Sequence, residues 1–132
     1  MGDRILVSSG SYLEPIIGFS RAVRVGNIVS VGGTAPIAAG GGTAAKGDVY
    51  GQAKRVFEII EKALFDAGAT FDDVTRTRVL LTDIALWDAA AKAHAEVFAS
   101  IRPVTTVMAI KGFVDPDWLI EIEVDAMVTS DA

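Results

Sequence analysis

The sequence contains few side chains that could carry out acid–base or nucleophilic chemistry. It has no cysteine and a single histidine, His94. These counts exclude a thiolate zinc site, a cysteine nucleophile and a multi-histidine metal site. His94 could act as a general base, but its spacing identifies no serine, cysteine or aspartate partner. We therefore favour a packed structural histidine, and we expect neither a metal ion nor another cofactor.

Acidic residues alternate with apolar ones in the segment IEIEVDA, residues 120–126. An extended strand places Glu121, Glu123 and Asp125 on one face and the apolar residues on the other. Taken alone, this pattern is typical of a solvated strand face. If that face is buried between subunits, a carboxylate there must be paired, hydrogen-bonded or functional. Glu121 is the preferred candidate because it lies deeper in the strand than the neighbouring loop residues.

Two further segments contain residue types that could bind a ligand. Thr105 and Thr106, within IRPVTTVMAI, are either ordinary β-formers or mark a position where chemistry could occur. The run Gly40 to Gly42 followed by Lys46 suggests a phosphate-binding loop. Such a loop needs Gly-Lys-Ser/Thr at the start of a helix, whereas Lys46 is followed by Gly47. We therefore interpret the glycine run as a connection.

The elements that must position these residues follow the order βββαβαββ. The predicted strands are ILVSS, RAVRV, NIVSVGGT, TRTRVLLTD, VTTVMAIKG and WLIEIEVDAMV. One helix is predicted from an N-cap at Asp48 to about Gly68, and another from about Trp87 to Ser100. The apolar stripe predicted for the second helix consists of Trp87, Ala90, His94, Val97 and Ile101. The fold class is α+β, a single domain over residues 1–132.

Composition and charge restrict the partners. The net charge is −5, and the twelve basic residues are scattered, which argues against nucleic acid as a partner. No apolar run approaches the roughly 20 residues that a membrane-spanning helix needs, and no signal peptide is apparent at the N-terminus. We expect a soluble, cytoplasmic protein that does not bind membranes.

The strand pattern predicts assembly. Two helices can cover only one face of such a sheet, yet residues 79–81 (VLL) and 107–110 (VMAI) are apolar at consecutive positions. They therefore present apolar side chains to both faces. A homo-oligomer would cover the second face, and clefts between its subunits are natural sites for a small-molecule ligand.

Several stretches of the chain resemble the RidA family, also called YjgF/YER057c/UK114 or endoribonuclease L-PSP. They are GFSRAVRVGNIVSVGGTAP, DAGATFDDV before VLLTD, RPVTT and the closing LIEIEVDA. The resemblance implies a chorismate-mutase-like fold and a homotrimer with three ligand clefts between subunits. It also implies hydrolysis of reactive imines or enamines, such as 2-aminoacrylate, to a keto acid and ammonia. An arginine in an RPxRS-type segment would then hold the substrate carboxylate, and a glutamate on the last strand would orient water.

Carried onto this sequence, the glutamate position is Glu121, but the arginine position is Thr105. Three other ligand-binding positions also depart from the family pattern: Phe19 replaces a tyrosine, Gly32 a serine and Ala91 an asparagine. Threonine has one short neutral hydroxyl and cannot reproduce a cationic clamp with five donors.

Arg21, two residues after Phe19, could supply the charge from another direction if the segment is extended. A surface arginine is the favoured interpretation.

Two function hypotheses remain. The first is a homotrimer that binds or processes a small metabolite in its clefts, without archetypal imine deaminase activity. The second is an imine or enamine deaminase acting on 2-iminobutanoate or 2-aminoacrylate through Glu121 and Arg21. Endoribonuclease activity is disfavoured by the acidic charge.

Overall fold

The computed structural model describes residues 3–129, and it confirms the predicted order of strands and helices. The strands are β1 (Arg4–Val7), β2 (Ala22–Val25), β3 (Ile28–Thr34), β4 (Val74–Leu81), β5 (Val104–Ala109) and β6 (Ile120–Met127). The helices are α1 (Val49–Asp66) and α2 (Trp87–Phe98), and short helical turns occur at Glu14–Gly18, Phe71–Asp73 and Ile84–Leu86. The six strands form one mixed sheet in the order β1-β2-β3-β6-β4-β5. β4 and β5 pair in parallel, and the other neighbouring strands are antiparallel.

Helix α1 begins and packs as its sequence predicts. The Asp48 side chain accepts a hydrogen bond from the Gly51 N–H at 3.1 Å, which caps the first turn. The helix buries the apolar side chains that recur at helical spacing, Val49, Ala53, Val56, Phe57, Ile60 and Leu64. α1 therefore forms the main cover of the sheet.

Helix α2 follows the prediction except at its ends: of the predicted stripe, Ala90 is buried, and Val97 and Ile101 pack against the core. It ends at Phe98, and the residues that it buries are Ala90, Ala93 and Phe98. Trp87 is 55% exposed, so its place in the predicted apolar stripe was wrong. The helix is rich in alanine, so the residues that it buries are mostly small.

The two faces of the sheet differ in what covers them. The register pairs Thr77 with Val124, Val79 with Ile122 and Leu81 with Ile120, and all six side chains are buried on the helix side. The alternate residues form the opposite face, away from the core that α1 and α2 cover; we call it the open face. It contains Arg76, Arg78, Leu80, Met108, Glu121, Glu123 and Asp125.

Strand β5 lies at one edge of the sheet and is exposed along its whole length. Val104 on the open face is 57% exposed, and Val107 on the helix side is 40% exposed. The apolar side chains of β5 are thus uncovered on both faces in a single chain, whereas Val79 and Leu81 of β4 are buried. That a second copy covers them stays a prediction.

Candidate functional site

The predicted site residues other than Gly32 fall into two clusters. The first lines a cavity of about 860 Å³ whose lining includes Phe19, Arg21, Gly33, Trp118 and Glu121; we call it the Arg21 cavity. The second lines a small pocket of about 110 Å³, the Thr105 pocket, formed by Val79, Ala90, Ala91, His94, Thr105 and Val107. The two share no lining residue within one chain.

Arg21 is the structural centre of the larger cavity. Its Nη1 donates to the Gly33 carbonyl at 2.6 Å, the Gly32 carbonyl at 3.2 Å and the Thr34 hydroxyl at 3.1 Å. Its Nε donates to the Ser9 hydroxyl at 3.3 Å. Arg21 is only 4% exposed, so the favoured interpretation of a surface arginine was wrong. The residue immediately precedes β2. Its side chain reaches the glycine-containing end of β3, where the carbonyls of Gly32 and Gly33 accept its hydrogen bonds.

Other groups around Arg21 favour its charge. Its Cζ lies 5.2 Å from the centre of the Phe19 ring, within the range of a cation–π interaction. Burial lowers the pKa of Arg21, while the negative charges of Glu14 and Glu121 oppose that shift. Guanidinium groups stay protonated in proteins, so the cavity contains a buried, fixed positive charge.

Glu14 is a buried carboxylate that shares a partner with Arg21, the Ser9 hydroxyl. Its Oε2 accepts hydrogen bonds from the Ser9 N–H at 3.0 Å, the Ser9 hydroxyl at 3.0 Å and the Ser11 N–H at 3.2 Å. Burial alone would raise its pKa, but hydrogen bonds from the Ser8, Ser9 and Ser11 region outweigh burial, and the pKa is lowered. Glu14 is thus held ionised as part of the frame that supports Arg21.

Glu121 is half-buried at the wall of the cavity, on the open face of β6. Burial raises its pKa, the charge of Arg21 opposes that rise, and the nearby Glu123 adds to it. A carboxyl group with a raised pKa can exchange a proton closer to neutral pH, as a general acid or base requires. Glu121 therefore has the environment expected of a functional carboxylate.

The absence of a side chain at Gly33 makes room for Glu121. A Cβ atom built on Gly33 would lie 2.6 Å from Oε1 of Glu121, whereas one on Gly32 would meet its nearest atom, on Arg21, at 3.8 Å. Gly33 lines the cavity, while Gly32 contributes its carbonyl to Arg21. The ligand-binding role predicted for Gly32 is untested and stays a prediction.

A chain of three side chains borders the Thr105 pocket. The Thr105 Oγ1 lies 2.8 Å from the Thr77 Oγ1, which in turn lies 2.8 Å from Nε2 of His94. The direct distance from the Thr105 Oγ1 to the same nitrogen is 3.5 Å. Thr77 is completely buried, whereas Thr105 is exposed. The exposed hydroxyl is therefore connected through a buried one to an imidazole.

His94 has the packing expected of a structural histidine, but it also has polar partners. Its ring centre lies 4.8 Å from that of Phe98 and 6.1 Å from that of Phe57. Burial lowers its pKa, so the imidazole is neutral at neutral pH. The sequence spacing revealed no serine, cysteine or aspartate partner. The partners found here are threonines on two parallel strands.

The family model described as Endoribonuclease L-PSP matches residues 9–128, which is most of the chain. The chain belongs to this family. Its solved structures include Rv2704 from Mycobacterium tuberculosis, described as a member of the YjgF/YER057c/UK114 family, with 42% sequence identity and a TM-score of 0.86. That match covers 96% of this chain and 100% of the other chain.

Two relatives known from sequence extend the family comparison. An uncharacterised protein of Streptomyces coelicolor is 41% identical over 91% of this chain and 89% of its own length. The 3-aminoacrylate deaminase RutC of Acinetobacter baylyi is 34% identical over 92% of this chain and 95% of its own length. The resemblance to the RidA (YjgF) family drawn from the motifs is thus confirmed.

Several residues of this RidA-family site were missed by sequence reasoning. Gly33, Glu14 and Thr77 each position a candidate residue, yet none stood out in the sequence. For Thr77 a signal existed, since alternation in β4 places it on the same face as the buried Val79 and Leu81.

The glycine run Gly40 to Gly42 borders the Arg21 cavity. Its three φ values of 86°, 108° and 78° suit glycine.

Proposed function

We propose that this RidA-family protein is a homotrimer that binds or processes a small metabolite in clefts between subunits, without archetypal imine deaminase activity. In this proposal the Arg21 cavity of one subunit and the Thr105 pocket of the next form one cleft. Glu121 orients a water molecule or a polar ligand group, and Thr105 contacts the other end of the ligand. Phe19 and Ala91 contribute apolar walls.

The observation that carries the proposal is the chemistry of the Thr105 pocket. Its lining consists of four apolar residues, Thr105 and His94, and the Thr105 hydroxyl contacts Thr77 at 2.8 Å and the Pro103 carbonyl at 3.3 Å. The imidazole is neutral, and the pocket lining contains neither arginine nor lysine. Hydrogen bonds to charged groups contribute about 1.5–3 kcal/mol each. A carboxylate substrate that depends on a bidentate arginine would therefore bind orders of magnitude more weakly here.

The assembly part of the proposal is supported by the uncovered sheet. The open face carries Leu80 and Met108, and β5 is exposed on both sides. Monomeric proteins seldom leave such apolar strands uncovered. A threefold arrangement would cover them and would bring the two clusters of lining residues close together.

A second candidate, hydrolysis of an imine or enamine acid, is favoured by one specific observation. Arg21 is a buried cation in the cavity that contains Glu121, and none of its hydrogen bonds to residues 3–129 uses Nη2. It could hold a carboxylate from the side opposite to Thr105. The relationship to a 3-aminoacrylate deaminase supports the same reaction class.

A coupled assay separates the two candidates. A serine or threonine dehydratase generates the imine, and the release of keto acid is followed with wild type, Thr105→Arg, Glu121→Gln and the exposed control Glu61→Gln. We expect no acceleration by wild type and a gain of activity in Thr105→Arg. Sedimentation of the wild type should give the mass of a trimer.

Two results would contradict the proposal. Acceleration by wild type and by Glu61→Gln, abolished in Glu121→Gln, would establish the deaminase instead. A monomer at all concentrations would leave the two clusters apart and would remove the cleft.

A further inference from the structure

We infer that Thr105, Thr77 and His94 form a ligand subsite in which the Thr105 hydroxyl accepts a hydrogen bond from an uncharged donor group, such as an amide N–H or a hydroxyl. This inference rests on the proposed function because it takes the Thr105 pocket as one end of the cleft. It goes further by assigning the direction of the hydrogen bonds, and hence the chemical class of the ligand group.

The inference starts from one assignment of the hydroxyl protons. Thr105 has one proton to donate, and its possible acceptors are the Thr77 Oγ1 at 2.8 Å, the Pro103 carbonyl at 3.3 Å and Nε2 of His94 at 3.5 Å. We assign this proton to the shortest contact, the one to Thr77, because hydrogen bonds between hydroxyl and oxygen are commonest at about 2.7–2.8 Å; in that contact either hydroxyl can donate. The single proton of Thr77 must then point to Nε2 of His94, also at 2.8 Å.

That arrangement requires Nε2 of His94 to be an acceptor. A neutral imidazole has one protonated and one unprotonated ring nitrogen, and the Thr77 contact therefore assigns the proton to Nδ1. The contacts of the ring support a neutral form, since besides the two threonines they are with Phe57 and Phe98. His94 does not touch the ligand in this scheme. It is a positioning residue that acts through Thr77.

The consequence for Thr105 is that its oxygen presents lone pairs to the pocket. A ligand group at this position must donate a hydrogen bond. A carboxylate has only acceptor atoms. Its oxygens would therefore be repelled by the lone pairs of the Thr105 hydroxyl and could not form a hydrogen bond there. The pocket of about 110 Å³ is walled by Val79, Val107, Ala90 and Ala91, which suits a small group with one polar end.

The backbone next to the pocket is held in an unusual conformation. Arg102 has a φ of 61°, in the left-handed region, immediately before Pro103. Strain of this kind concentrates at functional sites and persists only where the surroundings enforce it. The next residue, Pro103, has its carbonyl 3.3 Å from the Thr105 hydroxyl.

A matched pair of small ligands tests the inference. Pyruvamide and pyruvate differ in one group, an uncharged amide against a carboxylate. Each is titrated into protein labelled with ¹⁵N in the backbone and in the histidine ring, using wild type, Thr105→Val and Thr105→Ser. Because the chain has a single histidine, the two ring nitrogens of His94 give one unambiguous pair of signals.

We expect Nε2 to show the shift of an unprotonated nitrogen and to respond to pyruvamide more strongly than to pyruvate. One neutral hydrogen bond corresponds to roughly fivefold in affinity, so Thr105→Val should weaken pyruvamide binding by about that factor. Thr105→Ser, which keeps the hydroxyl, should bind like wild type. Thr77→Val should weaken binding similarly and shift the His94 signals, although Thr77 is buried away from the ligand.

Four results would overturn the inference: a protonated Nε2, stronger binding of pyruvate than of pyruvamide, equal pyruvamide binding by Thr105→Val, or no response of His94 to either ligand. The amide signals of Gly33 and Glu121 report on the rest of the cleft. If they respond while His94 does not, the subsite is wrong and the proposed cleft stands. If the protein sediments as a monomer, the proposed function itself fails.

Discussion

Gly33 and Glu121 show how a missing side chain sets the position of a functional one. A methyl group on Gly33 would come within 2.6 Å of Oε1 of Glu121, but the contacted atom is the end of a flexible side chain. We predict that Gly33→Ala displaces the Glu121 carboxylate and reduces ligand binding or turnover at least tenfold, while the free energy of unfolding changes by less than about 1 kcal/mol.

The matched control is Gly32→Ala, whose added methyl group would make only ordinary contacts at 3.8 Å. Ligand titration and urea denaturation of both variants check the prediction. If Gly33→Ala and Gly32→Ala changed ligand binding equally, the space that Gly33 leaves beside Glu121 would not determine binding.

Arg21 illustrates the cost of leaving buried polar groups without a partner. Its removal would deprive Gly33, Thr34 and Ser9 of a donor and would remove the positive charge that interacts with Glu14. Breaking a buried charged network of this kind costs about 3–5 kcal/mol. We predict a loss of about 3 kcal/mol in the free energy of unfolding for Arg21→Met, measured by urea denaturation at fixed protein concentration.

The exposed Arg4 on β1 is the control for that experiment, and Arg4→Met should change stability by no more than about 0.5 kcal/mol. If Arg21→Met were equally mild, Arg21 would be a ligand-binding group without a structural role.

At the scale of the elements, α2 carries a histidine whose protonation opposes folding. Burial lowers the pKa of His94 in the folded state below the unperturbed value of 6.5. Below pH 6.5 the unfolded chain therefore binds the proton more readily, and the free energy of unfolding falls as the pH is lowered toward the folded-state pKa. Well above pH 6.5, where His94 is deprotonated in both states, the residue contributes no pH dependence.

We predict that His94→Gln lacks the pH dependence that is due to the histidine. Its free energy of unfolding should therefore change less than that of wild type between pH 7 and pH 5. The two proteins are compared by the slope of stability against pH and not by stability itself, because the substitution also alters packing against Phe98. Thermal unfolding at a series of pH values provides the measurement. Parallel slopes would mean that His94 is protonated as easily in the folded protein as in the unfolded chain.

The elements themselves could be predicted because local signals specify them. The spacing of apolar residues and the Asp48 cap defined α1, and alternation defined β6. The burial of Arg21 could not be predicted, because its partners are carbonyls on another strand. The Thr77–His94–Thr105 contacts were also hidden, since they depend on how closely α2 packs on two strands. Local patterns specify elements, whereas the site depends on distances between them.

For the whole molecule, the uncovered face of the sheet makes the clearest prediction. Met108 is 39% exposed in the single chain and lies beside Leu80 on the open face. If subunits meet there, a charge at this position would be buried without a partner, at a cost of several kcal/mol. We predict that Met108→Asp shifts the sedimenting species from trimer to monomer. Phe65→Asp, at a 74% exposed position on α1 outside both pockets, is the control, and an unchanged trimer in Met108→Asp would place the interface elsewhere.

The two halves of the proposed cleft also differ in how far apart along the chain their residues lie. Arg21 and Glu121 come from opposite ends of the sequence, so their cavity exists only after β2, β3 and β6 have joined. Thr77, His94 and Thr105 belong to one continuous β4–α2–β5 unit. Contacts that close short loops form sooner than contacts that close long ones. During refolding the backbone amides of the β4–α2–β5 unit should therefore gain protection from hydrogen exchange before those of β2 and β3 around Arg21, so that the protein acquires one end of its ligand site before the other.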